Sequence, residues 1–172
     1  MRALFCLMIL VSSGVVVAQR TDSLSGRHLL PFSSYKEIGF VAGIEQGTYS
    51  NFEIGLGLSH AINGHHGPAF MGASLAYFFN PWRDLHGMKA AAWVNTPLAP
   101  LNIGWSSSVL TDGTYTRGGF GPMTGIGFMY AHISYSFQIR FGEKEVKGLN
   151  NHLVTVRFFL PVHSKEISEP FD

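Results

Sequence analysis

The sequence predicts an all-β chain folded as an eight-stranded antiparallel up-and-down transmembrane β-barrel. Three observations carry this reading. Apolar residues alternate with small or polar ones over long segments: Phe52, Ile54, Leu56 and Leu58 interleave with Glu53, Gly55, Gly57 and Ser59, and Ile133, Tyr135, Phe137, Ile139 and Phe141 with Ser134, Ser136, Gln138 and Arg140. A period of two marks a strand whose two faces differ chemically. The pattern recurs in about eight segments behind an N-terminal export signal. Charged residues make up only 13% of the chain, against about 25% in ordinary soluble domains.

Taken in order, residues 1–18 read as a cleavable signal peptide. Arg2 supplies a positive start, Leu4 to Val11 and Val15 to Val17 an apolar stretch, and Val16 and Ala18 the small residues of a cleavage site before Gln19. Cys6, the single cysteine, lies inside this segment. The mature chain is therefore expected to lack disulfides, thiolate metal sites and cysteine catalysis. Residues 19–34 are polar, contain Pro31, and read as a periplasmic linker. Strands are expected at 35–45, 51–62, 69–79, 88–95, 101–111, 120–130, 132–141 and 152–162, so that the barrel spans 35–162 and a polar tail occupies 163–172. Most segments reach the ~9–11 residues that a tilted strand needs to cross a bilayer. Eight is the even count of a bacterial single-chain barrel. No later stretch approaches 18 consecutive apolar residues, so no transmembrane helix is expected.

The connections alternate. With the N-terminus on the periplasmic side, segments 63–68 and 96–100 and a tight turn near Ala131 fall on that side. The longer segments 80–87, 112–119 and 142–151 fall outside, together with the short 46–50. Short turns on one side and longer loops on the other suit such a barrel.

Alternation alone does not say which face is wet, because a soluble antiparallel sheet also alternates. The polar face, however, is occupied by Gly39, Gly43, Gly55, Gly57, Gly72, Ser74, Ala76, Ala91, Gly104, Ser106, Gly125 and Gly127. Glycine on an exposed strand weakens it and covers nothing. Inside a narrow eight-stranded barrel, small residues are what the space admits. The apolar set then meets lipid. Phe52, Tyr77, Phe79, Phe120 and Phe141 fall near the outer strand ends, where an aromatic girdle belongs, with Tyr130 near the opposite rim. Trp93 points inward by parity, so either the fourth strand contains a bulge or its ring fills the lumen.

The strand region from Tyr35 to Val162 resembles the small eight-stranded outer-membrane proteins of the OmpA/OmpX type. Pro122 through Gly125-Ile126-Gly127 to His132-Ile133-Ser134-Tyr135 resembles a segment of uncharacterised small outer-membrane barrel proteins. The resemblance implies fold and cell outer-membrane location rather than activity. The chain departs from it at the end: a terminal aromatic strand is expected there, yet a polar tail follows Phe158 and Phe159.

Six charges lie on the inward parity: Glu37, Glu45, Glu53, Lys89, Arg140 and Arg157. Unpaired charges in a narrow lumen are costly, so opposite signs should meet. Closure of the last strand on the first is expected to bring Arg157 towards Glu37 or its neighbours, and Glu53, Arg140 and Lys89 towards one level. A packed lumen and a gated polar path for small solutes or ions are the two readings of this set. His132-x-Ser134 shares one strand face and resembles the pair of an outer-membrane lipid A deacylase, with Glu143 or Glu145 at comparable distance. Here Tyr135 replaces that family's asparagine, and a strand length separates the pair from either glutamate, so no catalytic residues are expected. His65 and His66 lie adjacent in a polar turn, where neighbouring side chains diverge; no metal and no cofactor is expected. Trp82, Arg83, Tyr115 and Arg117 in the outer loops are residue types favoured at interfaces and are the candidates for a protein partner. A formal net charge of +1 implies no nucleic-acid partner. The expected role is structural or interaction-based, with outer-membrane lipids as surroundings.

Overall fold

A strand with one small or polar face and one large apolar face must turn the two to different environments. The computed structural model describes residues 33–64, 67–95, 100–128, 130–142 and 150–167, and their regular structure is entirely β-strand. The strands are β1 (Ser33–Gln46), β2 (Ser50–Gly64), β3 (Gly67–Asn80), β4 (Leu85–Asn95), β5 (Leu101–Thr111), β6 (Thr116–Phe128), β7 (Ala131–Phe137), β8 (Ile139–Gly142) and β9 (His152–Ile167). Neighbours in sequence pair antiparallel from β1 to β7, and β9 pairs with both β7 and β1. β8 continues the line of β7 along β6, so the chain closes as a ring of eight antiparallel strands. Residues 1–32, which include the expected signal, Cys6 and most of the linker, lie outside the described residues, as do 168–172 at the end of the tail.

Closure fixes a stagger. Following cross-strand partners from Lys36 leads through His60, Met71, Val94, Ile103, Thr124, Tyr135 and Val154 back to β1 at Gln46. The path leaves β1 at residue 36 and returns at residue 46, ten residues further on. Ten rises of ~3.3 Å against eight strand spacings of ~4.8 Å tilt the strands by about 40°.

Over the central parts of the strands the faces follow the sequence register. Val41, Gly57, Ala76, Ala91, Ser106 and Gly121 are buried, while Ile38, Phe40, Leu56, Leu58, Leu75 and Ile103 are exposed on the other face. Trp93 is buried at 5% exposure, and β4 keeps unbroken register with β3 and β5. There is no bulge, so the indole fills the interior. Buried Phe78, Leu85 and Leu110, with half-buried Tyr115 against them, form an apolar layer at the end of the ring that carries connections 81–84 and 112–115.

Several boundaries depart from the sequence reading, and β1 already begins at Ser33, inside the expected linker 19–34. The seventh strand, expected as 132–141, is interrupted at Gln138 between the flanking pairs Met123–Ser136 and Phe120–Ile139. Pro122 lies opposite this gap and has no N–H to complete the ladder. The last strand runs on to Ile167 rather than stopping at Val162, because residues 163–167 keep pairing with β1 after an irregularity between Ile38 and Gly39. Strand ends also reach into the connections expected to be longer, leaving only 81–84 and 112–115 between strands. At these two connections the expected contrast in loop length is absent, and most of the third, residues 143–149, lies outside the described residues.

Candidate functional site

Four of the six inward charges form one chain of ion pairs. Lys89 on β4 pairs through Nζ with Glu45 on β1 and, at 3.3 Å, with Glu53 Oε2 on β2. Arg157 on β9 donates Nε to Glu53 Oε1 at 2.5 Å and Nη2 to Oε2 at 3.1 Å, the fork geometry that guanidinium offers a carboxylate. The Thr155 hydroxyl donates to Glu45 Oε2 at 3.3 Å and accepts from Lys89 Nζ at 3.4 Å. All four charged side chains are buried, and two carboxylates balance two cations.

The backbone makes room for this chain. Gly43 stands opposite Glu53 on one side and Arg157 on the other. A Cβ at Gly43 would lie 2.7 Å from Glu53 Oε1. The absent side chain is the lane through which a residue on β9 reaches one on β2. The other flank of Arg157 is aromatic: its guanidinium lies 5.6 Å from the centroid of the Trp93 ring, which meets His132 edge-on at 5.3 Å. His132 Nδ1 in turn lies 3.4 Å from Asn102 Nδ2.

Glu37 and Arg140 do not join the chain. Arg157 meets Glu53 rather than Glu37, because the stagger sets Arg157 opposite Gly43; Glu37 accepts from the Tyr130 hydroxyl at 3.1 Å instead. Arg140 forms no ion pair with Glu45 or Glu53 among the described residues. Its Nη1 donates to Ser108 Oγ at 3.3 Å and its Nη2 to the Asn150 carbonyl at 3.0 Å. Alongside it, fully buried Gln138 accepts from Ser108 Oγ and donates to Ser106 Oγ, both at 3.0 Å. Sequence reading missed this amide clamp and the Trp93–His132 contact, although the inward parity of all these residues carried the signal.

His132 and Ser134 are both buried inside the ring. The imidazole contacts Asn102 and Trp93, and no hydrogen bond joins it to Ser134 among the described residues. Glu143 and Glu145, considered as the acid, and the pair His65 and His66 lie outside the described residues.

Of the loop candidates, Trp82 is 69% exposed and its ring lies 6.0 Å from that of Phe52. Arg83 donates Nη2 to the Tyr49 hydroxyl at 2.8 Å, with its guanidinium 4.3 Å from the Tyr49 ring centroid. Tyr115 packs on the Phe78–Leu85–Leu110 layer, and Arg117 is half-buried, so these two are partly withdrawn from the surface. Between them and β5, Asp112 Oδ1 accepts the backbone N–H groups of Tyr115 at 2.8 Å and Thr114 at 3.0 Å. These two bonds, that from Tyr115 foremost, hold the Asp112 carboxyl below its ordinary range.

Comparison with protein families, curated proteins and solved structures finds no match to this chain.

Proposed function

We infer that this chain is an outer-membrane β-barrel protein whose lumen is packed rather than open, and that it acts through its lipid-facing wall and short outer connections rather than by catalysis. The observation that carries the reading is the inversion of its two faces. Large apolar side chains such as Phe40, Ile54, Leu56, Leu58, Leu75 and Ile103 stand outward around the ring, while Glu45, Glu53, Lys89 and Arg157 are buried within it. A soluble domain rarely exposes a contiguous apolar patch beyond a few hundred Å², whereas a barrel in lipid requires one. The outward aromatics support it. Phe52, Phe79 and Tyr77 gather near one end, with Phe52–Phe79 centroids at 5.7 Å, and Phe120 lies 5.9 Å from Trp105 and 6.0 Å from Phe141. Rings at that level suit a membrane interface.

A packed lumen is supported by the closed ion-pair chain and by the Phe78–Leu85–Leu110 layer beside it. Eight strands enclose space for side chains, not for a water column. The mature chain, residues 19–172, is therefore expected to need detergent for solubility and to migrate differently on a denaturing gel before and after heating. Protein that stays soluble without detergent and shows no heat-dependent shift overturns the membrane reading. Planar bilayers containing the folded chain are expected to show no stepwise conductance.

A further inference from the structure

We propose that the outward face near the start of β1 holds one anionic phospholipid, its phosphate between Lys36 and Lys165 and its acyl chains in an adjoining apolar groove. The proposal rests on the membrane reading above. Its first support is the irregularity in β9. Pro161 pairs with Gly39 and His163 with Ile38, leaving Val162 without a partner on β1. One extra residue in a strand exchanges its faces. Arg157 and Phe159 point inward, but beyond Val162 the odd positions share the outward face of Ile38 and Lys36. Lys165 thereby comes to stand directly opposite Lys36, whose other cross-strand neighbour is His60.

Like charges directly opposite one another destabilise a strand pair. No carboxylate among the described residues forms an ion pair with either lysine, and the nearest acids in the register, Glu37 and Glu166, fall on the opposite face. His60 has its Nε2 2.5 Å from Ser34 Oγ. A phosphate placed between the two ammonium groups converts their repulsion into two charge-assisted contacts.

The second support is the surface beside this row. An apolar groove of about 780 Å³ crosses the outward face from Lys36 and His60 towards β5. Ala73 and Ala92 form its low stretch, with Leu58 on one flank and Trp105 on the other. Cations at one end and a hydrocarbon-lined trough beyond them reproduce the layout of a phospholipid. This charge complementarity selects an anionic lipid over an apolar segment of another chain.

The test uses the mature chain folded in detergent and then in lipid nanodiscs, with the heat-shifted gel band as the control for folding. Phosphatidylglycerol carrying brominated acyl chains is expected to quench Trp105 fluorescence saturably. Brominated phosphatidylcholine should do so only at higher concentration, and the Trp105→Phe variant should lose the saturable component. Lys36→Gln/Lys165→Gln is expected to weaken the phosphatidylglycerol response by roughly 30-fold, at ~1 kcal/mol for each surface cation. Ala92→Leu, which fills the groove, should weaken it with both lysines intact. Equal response to the two lipids, an unchanged lysine variant, full competition by inorganic phosphate, or a cross-linked second copy in the groove would each overturn the lipid site. Protein that never shows the heat-shifted band fails the membrane reading itself; folded protein without lipid preference fails only this inference.

Discussion

Glu53 accepts from Arg157 and Lys89 in a space closed to solvent, so its removal strands a cation rather than merely deleting a contact. Breaking a buried pair by removing one partner costs about 3–5 kcal/mol, although the intact pair contributes little net stability. Glu53→Gln is therefore expected to lower unfolding stability by about that amount in a urea titration of vesicle-embedded protein followed by Trp93 fluorescence. Glu53→Gln/Arg157→Met keeps the Glu45–Lys89 pair and removes the stranded guanidinium. It should recover at least ~2 kcal/mol of the single loss, the coupling a double-mutant cycle isolates. A single variant within 1 kcal/mol of the parent would show that water reaches the pair. Gly43 tests the same lane from the backbone side. Its added Cβ would crowd the Glu53 carboxylate and the Val156 carbonyl, both at 2.7 Å. Gly43→Ala is expected to cost about 1–3 kcal/mol, as overpacking does; stability equal to the parent's would mean that Arg157 reaches Glu53 by another route.

At the scale of elements, the short connection from β5 to β6 depends on one carboxylate. Asp112 is held below its ordinary range by the N–H groups of Tyr115 and Thr114. A group with a lowered folded value contributes fully above its unfolded value, about 3.9, and its contribution fades as pH falls through the folded value. The amide proton shifts of Thr114 and Tyr115 should therefore follow a titration whose midpoint lies below about 3.9. Asp112→Asn keeps an acceptor oxygen and should abolish that titration; a midpoint at or above pH 4 in the parent would contradict the turn. This connection also shows what local sequence can reveal. The bounds of β5 were legible because Pro100 precedes it and Asp112-Gly113 follows, whereas the gap at Gln138 depends on Pro122 in the neighbouring strand. The continuation of β9 past Val162 depends likewise on its pairing with β1, since residues 163–167 carry no alternation of their own. Parity, being local, turned the six charges inward, but at Trp93 it left a bulge open that only the unbroken pairing of β4 with β3 and β5 excludes. Partnership was not legible. Which charge meets Arg157 follows from the ten-residue stagger, a property of the closed ring that no single segment encodes.

For the whole molecule, that stagger and the outward apolar band make one argument about solvent. A ring of eight strands tilted by about 40° encloses little more than its own side chains, so the charged residues that alternation turns inward must neutralise one another. The apolar residues that alternation turns outward have no second layer of protein over them among the described residues. Leu56 lies at the middle of β2, with outward Phe40 and Leu75 as its cross-strand partners, and is 59% exposed. In water, replacing such a residue by a charged one usually changes stability by less than ~0.5 kcal/mol. At the midplane of a bilayer the same change costs about 2–4 kcal/mol for arginine or lysine, falling towards ~0–1 near the interface. Leu56→Arg is therefore expected to lower the stability of vesicle-embedded protein by about 2–4 kcal/mol. Phe52→Arg, near the aromatic end of the same face, should cost less than Leu56→Arg. Depth is what separates the two positions, because both side chains stand on the outward face of one strand. Equal and small costs at both would place the band in water and remove the membrane from the account, while leaving the ring and its interior ion pairs as they are.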